Sequence, residues 1–325
     1  MMSSLPEKDF AIGLDIGGTS IVAGVILKQT GQILSRASIP TESRAGQVDG
    51  LQRITALIEH VAGDAEVRVS NAIGIGVGCT GPVDSTMGVI QNPYTLPGWE
   101  DLPLSSYLKA QFRLPTCLLN DCHAAALGEY WMGAGKRCRH MIYITVGTGI
   151  GSGLILNGQL YRGNGLLSGE VGHLALDPAG PLCYCGARGC LEMLAAGPAI
   201  VAAAQHAPKN GRILEIAEQH REAITAKMVC QAAAESDPVA LQIVTQAATY
   251  LGIGIANLLN ILTPEIVVLG GGVMQSWSLF RPAIETIVNA RSGMLKAVHI
   301  QILPAELGLN AGITGAAFAM FSALI

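Results

Sequence analysis

The sequence predicts an α/β protein with two sheets and about two domains. Three observations carry that prediction. Apolar runs of strand length alternate with stretches of helical spacing. The chain has 325 residues, enough for two cores at roughly 150 residues per domain. One plan also occurs twice. Ile12-Gly-Leu-Asp-Ile-Gly-Gly-Thr19 and Tyr143-Ile-Thr-Val-Gly-Thr-Gly149 each run from an apolar strand through a Gly/Thr turn into a second apolar strand. The two lie about 130 residues apart, one domain length.

The elements follow in order. Residues 10–14 form a short apolar run, Asp15-Ile-Gly-Gly-Thr19 interrupts it, and 21–27 resumes it, which reads as a β-hairpin with a glycine turn. Gly31-Gln32 makes the next turn and 33–39 a third strand. Residues 51–61 have helical apolar spacing. Residues 72–77 read as a buried strand, followed by the turn Gly78-Cys-Thr-Gly-Pro82. A helix over 104–112, a strand over 116–119 ending in Asn120-Asp121, and a helix beginning over 124–131 come next. Residues 141–146 are a strand with Gly147-Thr-Gly-Ile-Gly151 at its turn and 154–156 beyond. The stretch 197–262 is mostly helical, 266–269 is a strand running into Gly270-Gly-Gly272, and 311–324 is a helix.

Composition excludes several classes. Half the residues are hydrophobic and 14% are charged, whereas a disordered chain needs low hydrophobicity and high net charge. The net charge of −4 gives no basic footprint, so no nucleic acid is expected as a partner. The start of the chain has no apolar h-region, so no signal peptide is expected. The oiliest stretches are 247–262, which holds Thr249, Asn257 and Asn260, and 312–325. Both fall short of the ~20 apolar residues of a membrane span and read as buried helices. No membrane is expected, and the compartment is expected to be the cytoplasm. With 40 glycines and only 5% aromatics, tight turns and close backbone approaches should be common.

The glycine turns are the first residues that could carry chemistry. Asp15-Ile-Gly-Gly-Thr19 offers backbone N–H groups, a hydroxyl and a carboxylate at one turn, the ingredients of a phosphate nest. Gly147-Thr-Gly-Ile-Gly151 offers the same from a second place; the alternative for both is a plain hairpin turn. A P-loop is excluded, because Arg137 follows Gly135-Lys136 and Tyr130 stands where the first glycine is required. The dinucleotide fingerprint fails at Ser152 in the spacing that starts at Gly147.

Eight cysteines are many for a cytoplasmic chain, and they are not spaced as a disulfide framework. Cys79, Cys117, Cys122, Cys138 and Cys230 are scattered and read as small buried hydrophobes. Cys183, Cys185 and Cys190 cluster, with His173 ten residues before the first. Three thiols and an imidazole match a closed zinc site, structural because no position is left for water. The alternatives are chance clustering or a redox pair, for which Cys-x-Cys is a less usual spacing than Cys-x-x-Cys. Asp121, after a strand and before a helix, holds a usual place for a functional side chain. Glu170 and Glu192 flank the cysteine segment and could present hydrogen-bond acceptors to a polyol.

With these residues in hand, the chain resembles the ROK sugar kinases (repressor, open reading frame, kinase) of the actin-like ATPase superfamily. The resemblance runs from about residue 10 to about 320. It rests on Leu14-Asp-Ile-Gly-Gly-Thr19, Gly76-Val-Gly-Cys-Thr-Gly-Pro-Val-Asp84, Leu96-Pro-Gly-Trp99, Asn120-Asp121 before Ala124-Ala-Ala-Leu-Gly-Glu129, and Gly147-Thr-Gly-Ile-Gly151. Its most specific parts are Gly169-Glu-Val-Gly-His173, Cys183-x-Cys-Gly-x-x-Gly-Cys-x-Glu192 and Val267-Val-Leu-Gly-Gly-Gly-Val273.

The resemblance implies two actin-like (ribonuclease H-like) α/β domains around a central cleft, with a structural zinc loop. The small domain would be 1–120 plus 309–325 and the large one 121–308. It implies ATP with Mg²⁺ as phosphoryl donor and a hexose as acceptor. Asp15, Gly17, Gly18 and Thr19 would match the first phosphate loop, Gly147, Thr148 and Gly149 the second, and Gly271 and Gly272 the adenosine element. Asn120, Glu170, His173 and Glu192 would match the sugar ligands, with Gly81 helping to shape the pocket and Asp121 as catalytic base. His173 would then serve twice, one ring nitrogen on zinc and the other toward a sugar hydroxyl. Glucose is the first expectation for the sugar; N-acetylmannosamine, N-acetylglucosamine, allose and mannose stay open. The family often forms homodimers, and one is expected here.

The chain departs from the family pattern in places. Ser20 replaces a frequent Lys, Thr80 replaces a usual Pro before Gly81, and Cys122-His123 replaces a common Ala-Asn. His123 reads as a packed or capping histidine rather than a relay. Two other classes remain beside the kinase. A sugar-sensing repressor would carry a helix-turn-helix domain before the kinase-like body, for which no room is expected ahead of residue 10. A catalytically silent sugar-binding protein would lack phosphoryl transfer.

Overall fold

The computed structural model describes residues 9–164, 168–207, 211–291, 293 and 299–322. The reading of the N-terminal leader and residues 323 and 324 of the last expected helix lie outside them. Contacts divide the chain into two units: Met1–Tyr143, Gly153–Ser168 and Ala305–Ile325 form one, and Ile144–Ser152 with Gly169–Pro304 the other.

The first sheet contains β1 (Phe10–Ile16), β2 (Ser20–Leu27), β3 (Ile33–Pro40) and β4 (Ile75–Cys79). A two-stranded ribbon, β5 (Val83–Asp84) with β6 (Val89–Ile90), stands apart, and β7 (Thr116–Asn120) closes the five-stranded order β3-β2-β1-β4-β7. β1, β2 and β3 pair antiparallel, as hairpins require, while β1–β4 and β4–β7 pair parallel. The parallel pairs need crossovers. These are supplied by α1 (Gln47–Asp64) before β4 and α2 (Leu104–Phe112) before β7. β4 runs through Cys79, so the expected turn at Gly78 starts two residues later. α3 (Asp121–Met132) follows β7 with no loop, because the Asn120 side chain caps it and lets the helix start three residues before the expected position.

The second sheet has the order β10-β9-β8-β11-β12. Its strands are β8 (Met141–Val146), β9 (Ile150–Leu156), β10 (Gln159–Tyr161), β11 (Ile266–Gly270) and β12 (Gln301–Pro304). Numbered in chain order within each sheet, both run third-second-first-fourth-fifth, so the repeated strand–turn–strand plan of the sequence extends to whole-sheet topology. α4 (Leu191–Ala195) precedes the expected helical stretch, which resolves into α5 (Gly197–His206), α6 (Arg212–His220), α7 (Ala226–Ala234) and α8 (Pro238–Leu262). α9 (Trp277–Arg291) and β12 are elements the sequence reading did not include, and α10 (Ala311–Phe321) ends the described chain.

Among the described residues, α8 is long and apolar enough to cross a membrane by length and composition, but 56% of its apolar window is buried inside the protein, as in a core helix. Asp237 caps it by accepting the Ala240 N–H at 2.8 Å, and Pro238 occupies its first turn.

β1 is buried on both faces. One face packs with Ile54, Leu57, Ile58 and Val61 of α1 and with Trp99, all inside one cluster. Trp99 is fully buried, with Gly50 of α1 against its ring. It is therefore a core residue. The other face meets α10, which lies so near that side chains do not fit between. A Cβ on Gly13 would stand 2.0 Å from the Ile313 carbonyl oxygen, and one on Gly76 1.8 Å from that of Ala316. A Cβ on Gly315 would stand 1.7 Å from the Ala124 oxygen of α3.

Gly315→Ala is therefore expected to lower stability by about 2–4 kcal/mol, at or above the usual range for overpacking, because backbone would have to move. Gly63→Ala, on an exposed turn of α1 with nothing within 4 Å of the new Cβ, should instead be neutral or stabilising by up to about 1 kcal/mol. Urea denaturation of the two variants checks the contrast.

Candidate functional site

In the first unit the expected site residues gather at the carboxyl ends of β1, β4 and β7. Asp15 is the penultimate residue of β1, and Gly17-Gly18-Thr19 make the turn into β2. The Gly17 N–H donates to the Ser20 carbonyl at 2.9 Å, and the Thr41 hydroxyl donates to the Gly17 carbonyl at 2.6 Å. Gly18 and Thr19 remain exposed, which leaves their N–H groups and the hydroxyl on the surface of the turn. The Thr80 N–H donates to the Ile16 carbonyl, bringing the next loop alongside. In that loop Gly81 faces the Asn120 amide, where a Cβ would come within 2.9 Å of Nδ2. Asn92, fully buried, holds the neighbouring turn by accepting from the Tyr94 and Thr95 N–H groups and donating to the Thr80 carbonyl. The sequence reading did not single it out; its only local signal is the Asn-Pro-Tyr-Thr turn.

Asn120 accepts the Cys122 N–H through Oδ1 at 2.9 Å, so its capping role uses the oxygen and presents the amide nitrogen toward Gly81. Asp121, first residue of α3, accepts the same N–H at 2.8 Å. Both Asp15 and Asp121 are partly open to solvent yet set deep. Burial pushes the Asp121 carboxyl up, against the downward pull of its hydrogen bond to Cys122. Burial, then the Asp121 charge, pushes Asp15 up to about 7, with Arg36 opposing. The two carboxylates are thus brought within electrostatic reach of each other. His123 is buried, its Nε2 3.0 Å from the Ser168 carbonyl, and burial pushes it down. It is a packed histidine.

The second unit holds the remaining expected residues. Gly147, Thr148 and Gly272 line one cavity of about 1160 Å³. Gly271 stands against the Val146 backbone in a left-handed conformation, φ +91°, where a Cβ would come within 2.4 Å of the Val146 oxygen. The cavity also takes Lys227, Thr225, Gln231, Gln275 and Ser276, none of them identified from the sequence. They come from α7 and the segment after β11, which no local motif joins. Gly149 lies against Glu192, whose Oε2 accepts the Ile150 N–H at 2.8 Å. One of the expected sugar ligands therefore braces the turn expected to be the second phosphate loop.

His173, Cys183, Cys185 and Cys190 do come together: their donor atoms all lie within 4.8 Å of one another. Cys183 Sγ is 3.5 Å from His173 Nδ1, and Cys185 Sγ is 3.5 Å from Cys190 Sγ. Tetrahedral zinc with bonds of about 2.3 Å needs edges of about 3.8 Å, so the donor set and its spacing fit the ion. The loop closes on itself through the Cys183 N–H to the Ala187 carbonyl and the Gly189 N–H to the Pro181 carbonyl, both 2.8 Å. On the other side of the imidazole, Nε2 is 3.1 Å from the Tyr184 hydroxyl. Burial, then the Glu192 charge, pushes that hydroxyl up.

The ROK family model matches residues 11–322. The chain belongs to the ROK family. A glucokinase from Halalkalibacterium halodurans is 36% identical over 94% of this chain and 92% of its own length. A ROK family glucokinase from Streptomyces griseus, solved in complex with glucose and AMPPNP, is 33% identical, with a TM-score of 0.80 over 95% of this chain and 98% of that one. A putative xylose repressor from Caldicellulosiruptor sp. is 31% identical over 94% of this chain, which spans 76% of the repressor. The fold is the two-domain actin-like α/β fold of the ROK kinases.

The raised Asp15 predicts a pH dependence of stability. The folded protein keeps a proton on Asp15 up to about pH 7, while the unfolded chain releases it near 3.8. The folded state binds more protons between those values, so stability falls as pH rises through them and levels off above. In Asp15→Asn this decline should shrink. Urea unfolding at pH 4.5, 6 and 8 in EDTA checks it, the variant's advantage growing toward pH 8.

Proposed function

We propose that this chain, an ATP-dependent sugar kinase of the ROK family, transfers the γ-phosphoryl group of ATP to the 6-hydroxyl of glucose with Asp121 as general base. The observation that carries the reading is Asp121 itself. It is a deep but reachable carboxylate at the start of α3, oriented by the Cys122 N–H and with its proton affinity raised by burial. Glucose as the sugar is supported by the family's glucokinases at 33–36% identity and by the glucose held in the Streptomyces griseus structure.

The chemistry assigns a task to each group. The sugar hydroxyl is a weak nucleophile; Asp121 accepts its proton as the oxygen attacks the γ-phosphorus in line and the bond to the bridging oxygen of ADP breaks. Backbone N–H groups at 17–19 and 147–149 hold phosphoryl oxygens. The nucleoside occupies the cavity beside Gly271 and Gly272. Asp15 would hold the Mg²⁺ that comes with ATP, an ion that would supply charge neutralisation on the phosphates. Asn120, Glu170, His173 and Glu192 hold sugar hydroxyls, and Gly81 leaves them room. Zinc held by His173, Cys183, Cys185 and Cys190 supplies a rigid support for the sugar-reading side chains. Domains 1–120 with 309–325 and 121–308, a homodimer and a cytoplasmic location complete the reading.

Coupled ADP release with Mg-ATP over a panel of hexoses and N-acetylhexosamines tests it. Glucose should give the highest kcat/KM, and Asp121→Asn should lower kcat about 10²–10⁴-fold. A higher kcat/KM on N-acetylmannosamine or another panel sugar overturns glucose; full turnover in Asp121→Asn overturns the base. Because the base must be ionised, kcat/KM should rise with pH through a limb above the ordinary carboxylate range.

The metal has its own readout. Elemental analysis should find one zinc per chain, lost in Cys183→Ser. That loss should raise KM for the sugar far more than KM for ATP.

A further inference from the structure

Position 184 is left open in the Cys-x-Cys motif, and here it is a tyrosine. Its hydroxyl is 3.1 Å from Nε2 of His173, one of the groups assigned to the sugar. The ring meets the imidazole edge to face, with centroids 5.0 Å apart. The direction of the hydrogen bond follows from chemistry. Nδ1 of His173 faces the thiol cluster, 3.5 Å from Cys183 Sγ, so a neutral imidazole bound there carries its hydrogen on Nε2. Nε2–H therefore donates to the Tyr184 oxygen. A hydroxyl that accepts from this imidazole nitrogen is what a sugar hydroxyl would be at the same place.

The tyrosine is 72% exposed, whereas Glu192 holds the Ile150 N–H on Oε2 at 2.8 Å. An exchange of hydroxyls would thus move Tyr184 and leave Glu192 where it is. We infer that Tyr184 is a specificity-determining residue whose hydroxyl stands in for one sugar hydroxyl on His173 and must be displaced by it. This inference rests on the assignment of His173 and Glu192 to the sugar. Its consequence is selective: every sugar that places a hydroxyl there competes with Tyr184, and a sugar lacking that hydroxyl leaves Tyr184 in place.

Calorimetric titration of sugar into zinc-loaded wild type and Tyr184→Phe tests it, using the panel sugar of highest kcat/KM and its single-deoxy analogues. A net hydrogen bond of about 1 kcal/mol corresponds to a roughly fivefold change in affinity. Tyr184→Phe should therefore bind the parent sugar about fivefold more tightly. KM for the sugar should fall alike, with kcat, KM for ATP and zinc content unchanged. For one deoxy analogue, the one lacking the competing hydroxyl, the gain should vanish. Weaker binding in Tyr184→Phe overturns the inference, since it would make Tyr184 a direct sugar contact. Equal affinity, or an equal gain on every analogue, also overturns it. A folded wild type that binds no sugar overturns the sugar-kinase assignment of His173 and Glu192 as well, which separates that failure from this one.

Discussion

The first unit depends on the backbone-to-backbone seam between α10 and its neighbours. Glycines 13, 76 and 315 let the helix rest on β1, β4 and α3 with no side chain between them. The seam fixes where the carboxylates sit. Gly312, in the first turn of α10, is so near Asp15 that a Cβ there would stand 2.3 Å from Oδ2. Asp15 thus meets a helix N-terminus, which favours an anion by about 0.3–2 kcal/mol. Its rise to about 7 from 3.8 corresponds to about 4 kcal/mol in the opposite direction. Burial against the seam outweighs the dipole. Glu129 anchors the same assembly from the far end of α3. Fully buried, it accepts the N–H groups of Ala134, Glu306 and Leu307 at 2.9, 3.1 and 2.8 Å, which ties α3 to the strand of chain that leads into α10. Charge-assisted bonds of this kind contribute about 1.5–3 kcal/mol each.

Much of this was legible in the sequence, and the reasons are local. β1, β8 and β11 are apolar runs ended by glycine, a signal that needs no partner to be read. The four metal-binding candidates lie within 18 residues, so their meeting needs only a loop that closes. What escaped was set by distant packing. β12 is an edge strand of four residues, half-exposed, without an apolar run of its own. α9 carries Pro282 inside it, a residue that normally argues against a helix interior. The start of α3 depended on one side chain, Asn120, doing two jobs at a strand end. Lys227 and Ser276 share the cavity with Gly147 only because α7 and the chain after β11 pack there.

The second unit places a different demand on a short element. α4 has five residues and no side-chain cap, too little helix to hold a carboxylate in one place by its own hydrogen bonds. Glu192 is held from outside it. Cys190, two residues before, belongs to the Cys/His cluster. Leu191, nearly fully buried, packs beside Gly254 of α8, and its N–H donates to the Leu174 carbonyl at 2.9 Å. The Ile150 N–H then takes Oε2. A metal in the cluster would close the last free side of this frame. All four of its ligands come from the chain, so no coordination position is left for substrate, and its effect on the reaction must pass through the residues it steadies. Glu192 is the residue through which it would pass, because the same carboxylate that meets the proposed sugar subsite also holds the turn at Gly149 and Ile150, beside Thr148 on the wall of the cavity.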